Sequence, residues 1–235
     1  ASSPEGKAAS KGVSGQMGLG DNLAEFFNAL QALSSNPSSQ AYRQVVVFKA
    51  ENLSEKFNRI DFRLGELSHD LNNEVVSMVE DVNNGIVFLE QIGHLISSQK
   101  MLSNANDYTD KFHHRLEDLS KFVDVQFEFK PIPGADPNAN KVMEKLHLEI
   151  GGVKVIDTGD IVSKLNVIIK DVDGNTVTRK HNHLERGDTV FVETIKSPEN
   201  FQLTSGKIKA VIDARDQTVA GFKDSMNIVS EKIKD

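Results

Sequence analysis

The sequence predicts an α+β chain: an elongated helical bundle, a coiled-coil-like shaft, with a small all-β domain inserted into it. Three observations carry that expectation. A heptad-spaced apolar seam occupies the stretch before residue 100, the apolar period changes to two at Val123, and a helical period returns from Ile208. In the first stretch, Val46, Ala50, Leu53, Phe57, Ile60, Leu64, Leu67 and Leu71 step alternately by four and three. Such steps keep side chains on one face of a helix, and their seven-residue repeat makes a seam that another helix must cover. Leu71 to Val75 repeats a step of four before Met78, Val82, Ile86 and Leu89 resume the pattern. That is a stutter, which locally unwinds a left-handed supercoil. Glu51, Glu55, Lys56, Arg59, Asp61, Arg63 and Glu66 fill the solvated outer face. One helix, or two in near-continuous succession, is expected from about Ser38 to about Lys100, roughly 90 Å at the helical rise.

Composition narrows the function classes. The 235 residues are 38% hydrophobic and 26% charged, with a net charge of −7. Scattered Lys and Arg under a negative balance argue against a nucleic-acid partner. No apolar run approaches the length of a membrane span. Cysteine is absent, which excludes disulfides, thiolate nucleophiles and cysteine metal sites. Residues 1–20 are rich in Ser, Gly and Lys, have no apolar run of the signal-peptide kind and read as a flexible tail or loop. The chain opens without Met, and its ends are read as boundaries inside a longer chain.

The elements follow in order. Asp21 is a candidate N-cap for a short helix over Asn22–Leu33, with Leu23, Phe26, Phe27, Leu30 and Leu33 on its apolar face. Pro37 breaks it, and Ser38 or Ser39 can cap the long helix. A third helix is expected from about Asn106 to Phe122, with Tyr108, Phe112, Leu116, Leu119 and Phe122 on one side. Val123, Val125, Phe127 and Phe129 then alternate as a strand. After the turn formers of Pro131–Asn140, the strands Lys145–Ile150 and Val153–Asp157 flank Gly151-Gly152, a hairpin signal. Ile161–Lys170 and Thr176–Leu184 flank a turn at Asp173-Gly174, and Asp188–Ile195 follows a turn at Arg186-Gly187. About six strands result. In the return helix Val219, Phe222, Met226, Val229 and Ile233 form a second heptad seam, expected to pack antiparallel to the long helix because both seams are otherwise exposed. The implied domains are 1–20 tail, 21–122 helical shaft, 123–205 β-rich outer domain and 206–235 return helix.

Three stretches resemble a known family. Phe26–Asn58 carries Phe-Phe-x-Ala-Leu, then Leu-Ser-x-Asn-Pro, then Arg43-Gln44 ahead of Ala50-x-x-Leu-x-x-x-Phe-Asn. Asn106–Phe127 carries Asn-Asp, an Asp and Leu-Ser before a strand, with Phe112-His113 in place of an Arg-Asp pair. Ser205–Asp216 carries Ser-Gly and a terminal Arg-Asp. In this order they are similar to the flagellar hook-associated protein 1 family, the hook–filament junction proteins of bacteria. The resemblance implies a secreted structural subunit of the extracellular flagellum and no enzyme. It implies as partners the hook protein, other hook-associated proteins, copies of the subunit in a ring, and an export chaperone for the full-length protein. It also implies a core fragment that lacks the family's polymerising termini and is monomeric. The alternatives are another axial protein, such as a flagellin-like subunit, and an exported coiled-coil adhesin or binding module.

No residue pattern asks for catalysis, a cofactor or a metal, and none of the three is expected. His181 and His183 share a strand face near Glu185, but lack an evident third ligand. His113 and His114 point apart on a helix. Asp171–Asn175 contains part of a calcium loop without its closing Glu, and a tight turn accounts for it. Gly15–Gly20 has no Lys-Ser/Thr and follows no strand, so it is not a phosphate loop. Glu117-Asp118, Asp213 and Asp216 read as solvated helix faces. Phe26, Phe27, Phe57, Phe112 and Phe222 read as core.

Overall fold

A computed structural model of the chain describes residues 18–99, 106–132, 143–179 and 183–234. Residues 1–17, most of the expected loop Pro131–Asn140 and His181 lie outside these. The chain forms two compact units, Ala1–Arg63 and Leu64–Asp235. The helix α2 (Gln40–Gln99) is unbroken for 60 residues and contributes to both.

In the first unit α1 spans Leu19–Ser35, starting three residues before the expected point. Asp21 is therefore not the N-cap. It sits in the first turn, where its carboxylate accepts from the Gly18 amide at 2.8 Å, satisfying a donor that the helix leaves free. After Pro37, the Ser39 hydroxyl accepts from the Tyr42 amide at 3.4 Å and starts α2. The Arg43 guanidinium reaches back to the Pro37 carbonyl at 2.8 and 3.2 Å. Further along, Lys49 pairs with Glu25 at 2.6 Å. Ala29 and Leu53 are buried, while Phe27, expected in the core, is 53% exposed.

In the second unit α2 becomes a core helix. Val75, Val82, Ile86 and Leu89 have no accessible surface, whereas Leu67, just before the stutter, is 45% exposed. The stutter thus marks where the helix gains a wide buried face, covered by α3 (Asn106–Phe122), strands and α4 (Lys207–Asp213) in one apolar cluster. Phe112 anchors it from α3, its ring 5.3 and 5.5 Å from Phe127 and Phe129.

Seven strands occur among the described residues, in two antiparallel sheets. The first has the order β1 (Val125–Pro131), β2 (Glu144–Ile150), β3 (Val153–Asp157), β4 (Asp160–Ile161). The second has β5 (Leu165–Lys170) between β6 (Thr176–Val177) and β7 (Thr189–Thr194). The expected strand Ile161–Lys170 is two strands, because the chain leaves the first sheet at Ile161 and joins the second at Leu165. A period-two pattern persists across such a crossing, so periodicity does not reveal it. The β2–β3 hairpin turns at Gly151 and Gly152, both with positive φ, as a two-residue turn requires.

The sheets share the helices' core. Leu146, Leu148 and Ile150 of β2 pack with Val82, Ile86 and Leu89 of α2 in the same cluster. They approach closely at Gly93, where a Cβ would stand 3.0 Å from Leu146 Cδ2. The return helix runs through α4, a π turn (Ala214–Val219) and α5 (Ala220–Lys234). Of its seam, Val219 and Met226 are buried, but Phe222, expected with them, is 53% exposed. The π turn widens the helix just ahead of Phe222 and breaks the heptad phase.

Phe112→Ala should cost about 3–5 kcal/mol, read as a lower urea midpoint, while Phe27→Ala should stay within about 0.5 kcal/mol of wild type. Equal effects of the two would refute this assignment of the core.

Candidate functional site: asparagines and a buried arginine that fasten the sheet

An asparagine amide carries donors and an acceptor in a planar group. It can pair with the backbone at a strand end as a neighbouring strand would. Two asparagines of α2 do this. Asn83 Nδ2 donates to the Leu165 carbonyl and its Oδ1 accepts from the Leu165 amide, both at 3.0 Å. Asn72 Nδ2 donates to the Asp188 carbonyl at 2.7 Å, and its Oδ1 accepts from the Val190 amide at 3.2 Å. Eleven residues separate them, close to three turns of helix, so both leave the same face about 16 Å apart. Val190 and Leu165 lie near opposite ends of the β5–β7 ladder, in which Leu165 faces Thr194. The intervening strand length, four residues or about 14 Å, fits the helical spacing.

Arg215 completes the Asn72 end. The π turn directs it inward, where it is 5% exposed. Its Nη1 donates to Asn72 Oδ1 and to the Val190 carbonyl, each at 2.6 Å. Nε and Nη2 donate to the Asp216 carboxylate at 2.7 and 3.0 Å, and the guanidinium lies 5.8 Å from the Phe191 ring centre. A buried cation is tolerable only with such partners. Beside it, Arg179 donates to both oxygens of the buried Asp188 carboxylate at 3.2 and 3.1 Å, and the Glu185 amide adds 2.8 Å. These bonds, the Arg179 one first, hold the Asp188 carboxyl below its ordinary range, against the opposing effect of burial.

The weighed sites fare differently. His183 is exposed and stands outside any strand, since β6 of the expected strand Thr176–Leu184 covers only Thr176–Val177, and His181 lies outside the described residues. His113 and His114 are exposed, the latter 3.4 Å from Asp118. The Asp171 carboxylate accepts from the amides of Asp173 and Asn175 at 3.0 and 2.8 Å, the geometry of a turn. Asp118 pairs with Lys121 and Asp213 with Lys209. Glu90, His94 and Asp160 bring one ligand atom each within 4.8 Å of one another, a grouping the sequence reading did not find. It also missed Asn72 and Asn83. The repeat Leu71-Asn72-Asn73 and Val82-Asn83-Asn84 was the available signal, since eleven is a whole number of turns.

The family model for the flagellar hook-associated protein FlgK helical domain matches residues 12–235. The chain belongs to this family. Flagellar hook-associated protein 1 of Bacillus subtilis is 29% identical over 118 residues, 50% of this chain and 23% of that protein. The protein of the same name from Salmonella typhimurium is 30% identical over 114 residues, 46% of this chain and 20% of its own length. The matched stretches thus span less than a quarter of these relatives. The flagellar hook junction protein FlgK of Burkholderia pseudomallei has a similar fold, with a TM-score of 0.61 at 17% identity, over 86% of this chain and 34% of that one.

For this FlgK-family chain, the stretches that carried the resemblance have visible structural work. Arg43 ties the α1–α2 turn to Pro37. The Phe112 that departs from the motif fills the core. Gly206 (φ 93°) starts the return helix so close to α3 that a Cβ would meet the Phe122 carbonyl oxygen at 2.4 Å. Arg215-Asp216 joins that helix to β7 and α2. No described helix is long and apolar enough to cross a membrane.

Arg215→Ala should cost about 2–4 kcal/mol in urea unfolding, because it strips partners from buried polar groups. Asp216→Ala should cost less, since Asp216 is exposed. The Asp188 interaction carries a pH signature. A depressed folded-state pKa gives stability that is complete above the unfolded carboxylate's value, about 4, and is lost as pH falls below it. Wild type should therefore exceed Arg179→Met in urea midpoint at pH 7, with the gap narrowing steadily as the pH falls below about 4. A constant gap would show that Asp188 is not the partner that matters.

Proposed function

We propose that this chain is the helical core of a structural subunit at the junction between the flagellar hook and filament. The carrying observation is the family match over 12–235, supported by the names of the relatives, hook-associated protein 1 and hook junction protein. In this reading the chain does no catalysis and acts by shape. Residues 21–122 and 206–235 serve as the shaft, 123–205 as the outward β-rich part, and the protein is exported to the extracellular flagellum. The partners are the hook protein, other hook-associated proteins and further copies in a ring, with a chaperone during export. The first unit supports side-by-side packing, since Phe27, Val47 and Phe48 are 53%, 57% and 57% exposed, and exposed apolar surface marks interaction sites. The chain alone is monomeric in this reading, which light scattering tests.

A strain lacking the gene should build hooks without filaments and shed flagellin into the medium. Normal filaments in that strain would overturn the junction reading. In the full-length gene, Val47→Asp with Phe48→Asp should abolish swarming while leaving the protein's thermal midpoint within about 2 °C of wild type, as expected of exposed positions.

A further inference from the structure

Glu90 and His94 are one turn apart on α2, so their side chains leave the same helix face. Asp160 begins β4 and faces them from the β3–β4 turn. One ligand atom from each lies within 4.8 Å of the others. His94 Nε2 is 3.6 Å from Asp160 Oδ1, long for a hydrogen bond. It is close to the spacing of two ligands on one tetrahedral ion, about 3.4 Å for bonds of about 2.1 Å.

The surrounding scaffold fixes these positions. Ser97 Oγ donates to the Glu144 carbonyl at 2.6 Å, and the Gly159 amide donates to the Leu146 carbonyl at 2.8 Å. Leu146 in turn packs against Gly93, the neighbour of His94. Two ligands thus come from a rigid helix, and the third from a turn pinned to the strand that touches that helix. Such support preorganises a metal site. Lys145 is a neighbour of the site: a Cβ at Gly159 would lie 3.4 Å from His94 Cε1 and 3.6 Å from Lys145 Nζ.

We propose that Glu90, His94 and Asp160 form a binding site for a divalent transition ion of the zinc class, which cross-links α2 to the β3–β4 turn. One imidazole with two carboxylates suits zinc and its neighbours, whereas magnesium and calcium take oxygen ligands. Water completes the coordination, as Asp160 is at the surface. The ion's role is to fasten the first sheet to the helix, as Asn72 and Asn83 fasten the second.

The test is a thermal melt of the whole chain with zinc chloride, with magnesium chloride as control. An ion that prefers the native state raises the midpoint, by about 5 °C at a hundredfold excess over its dissociation constant. The rise should vanish in His94→Ala and in Asp160→Asn and persist in His183→Ala. Magnesium should give none. Asp160→Asn changes an exposed side chain and keeps the test decisive should His94→Ala fold poorly. No rise in wild type, a rise retained in Asp160→Asn, or a rise abolished by His183→Ala would each overturn the site.

Discussion

The pairing of helix-borne amides with strand backbone is the constraint on which the second unit depends. A sheet packed on a helix through apolar contacts alone can slide along it, since such contacts are not directional. Asn72 and Asn83 remove that freedom by bonding the backbone at two points of the β5–β7 ladder. A shift of one residue would leave the buried Asn72 amide, the half-buried Asn83 amide and their strand partners unsatisfied. Arg215 then ties the return helix to the same point through Asn72 and the Val190 carbonyl. Three elements far apart in sequence meet at one asparagine.

The apolar core and this polar fastening divide the work. Val75, Val82, Ile86 and Leu89 supply burial on α2, and Leu146, Leu148 and Ile150 supply it from β2. That burial is the larger free-energy contribution, but it is tolerant of register. The fastening adds less and selects one arrangement. For a subunit whose proposed task is to present a fixed shape to its neighbours, the selecting part matters more than its share of stability suggests. The π turn belongs to the same device, because it carries a guanidinium inward within a helix whose other buried residues include Ile208, Val211, Val219 and Met226.

Much of the chain was legible in the sequence for physical reasons. Helical and strand periods are local consequences of where side chains point, so α2, α3 and the β2–β3 hairpin could be placed from Val46–Leu89, Tyr108–Phe122 and Gly151-Gly152. Turn chemistry is local too, and Asp171 and Ser39 act as their types suggest. Burial was less legible. Phe27 and Phe222 are apolar residues on apolar faces, yet each is half exposed, because a face is buried only where another element covers it.

What the sequence by itself determined was the order and type of the elements, the helix–strand–helix course of the chain, and its kinship with the FlgK helical-domain family. Each is written in local spacing or in short motifs. The tertiary structure alone decided where the chain passes from one sheet to the other near Ser163, where the return helix widens, and which polar residues enter the core. Asn72, Asp188 and Arg215 look like surface residues in the sequence, since polarity at one position says nothing about a partner more than a hundred residues away. Glu90, His94 and Asp160 converge for the same reason: folding sets the distance between them, and no pattern along the chain encodes it.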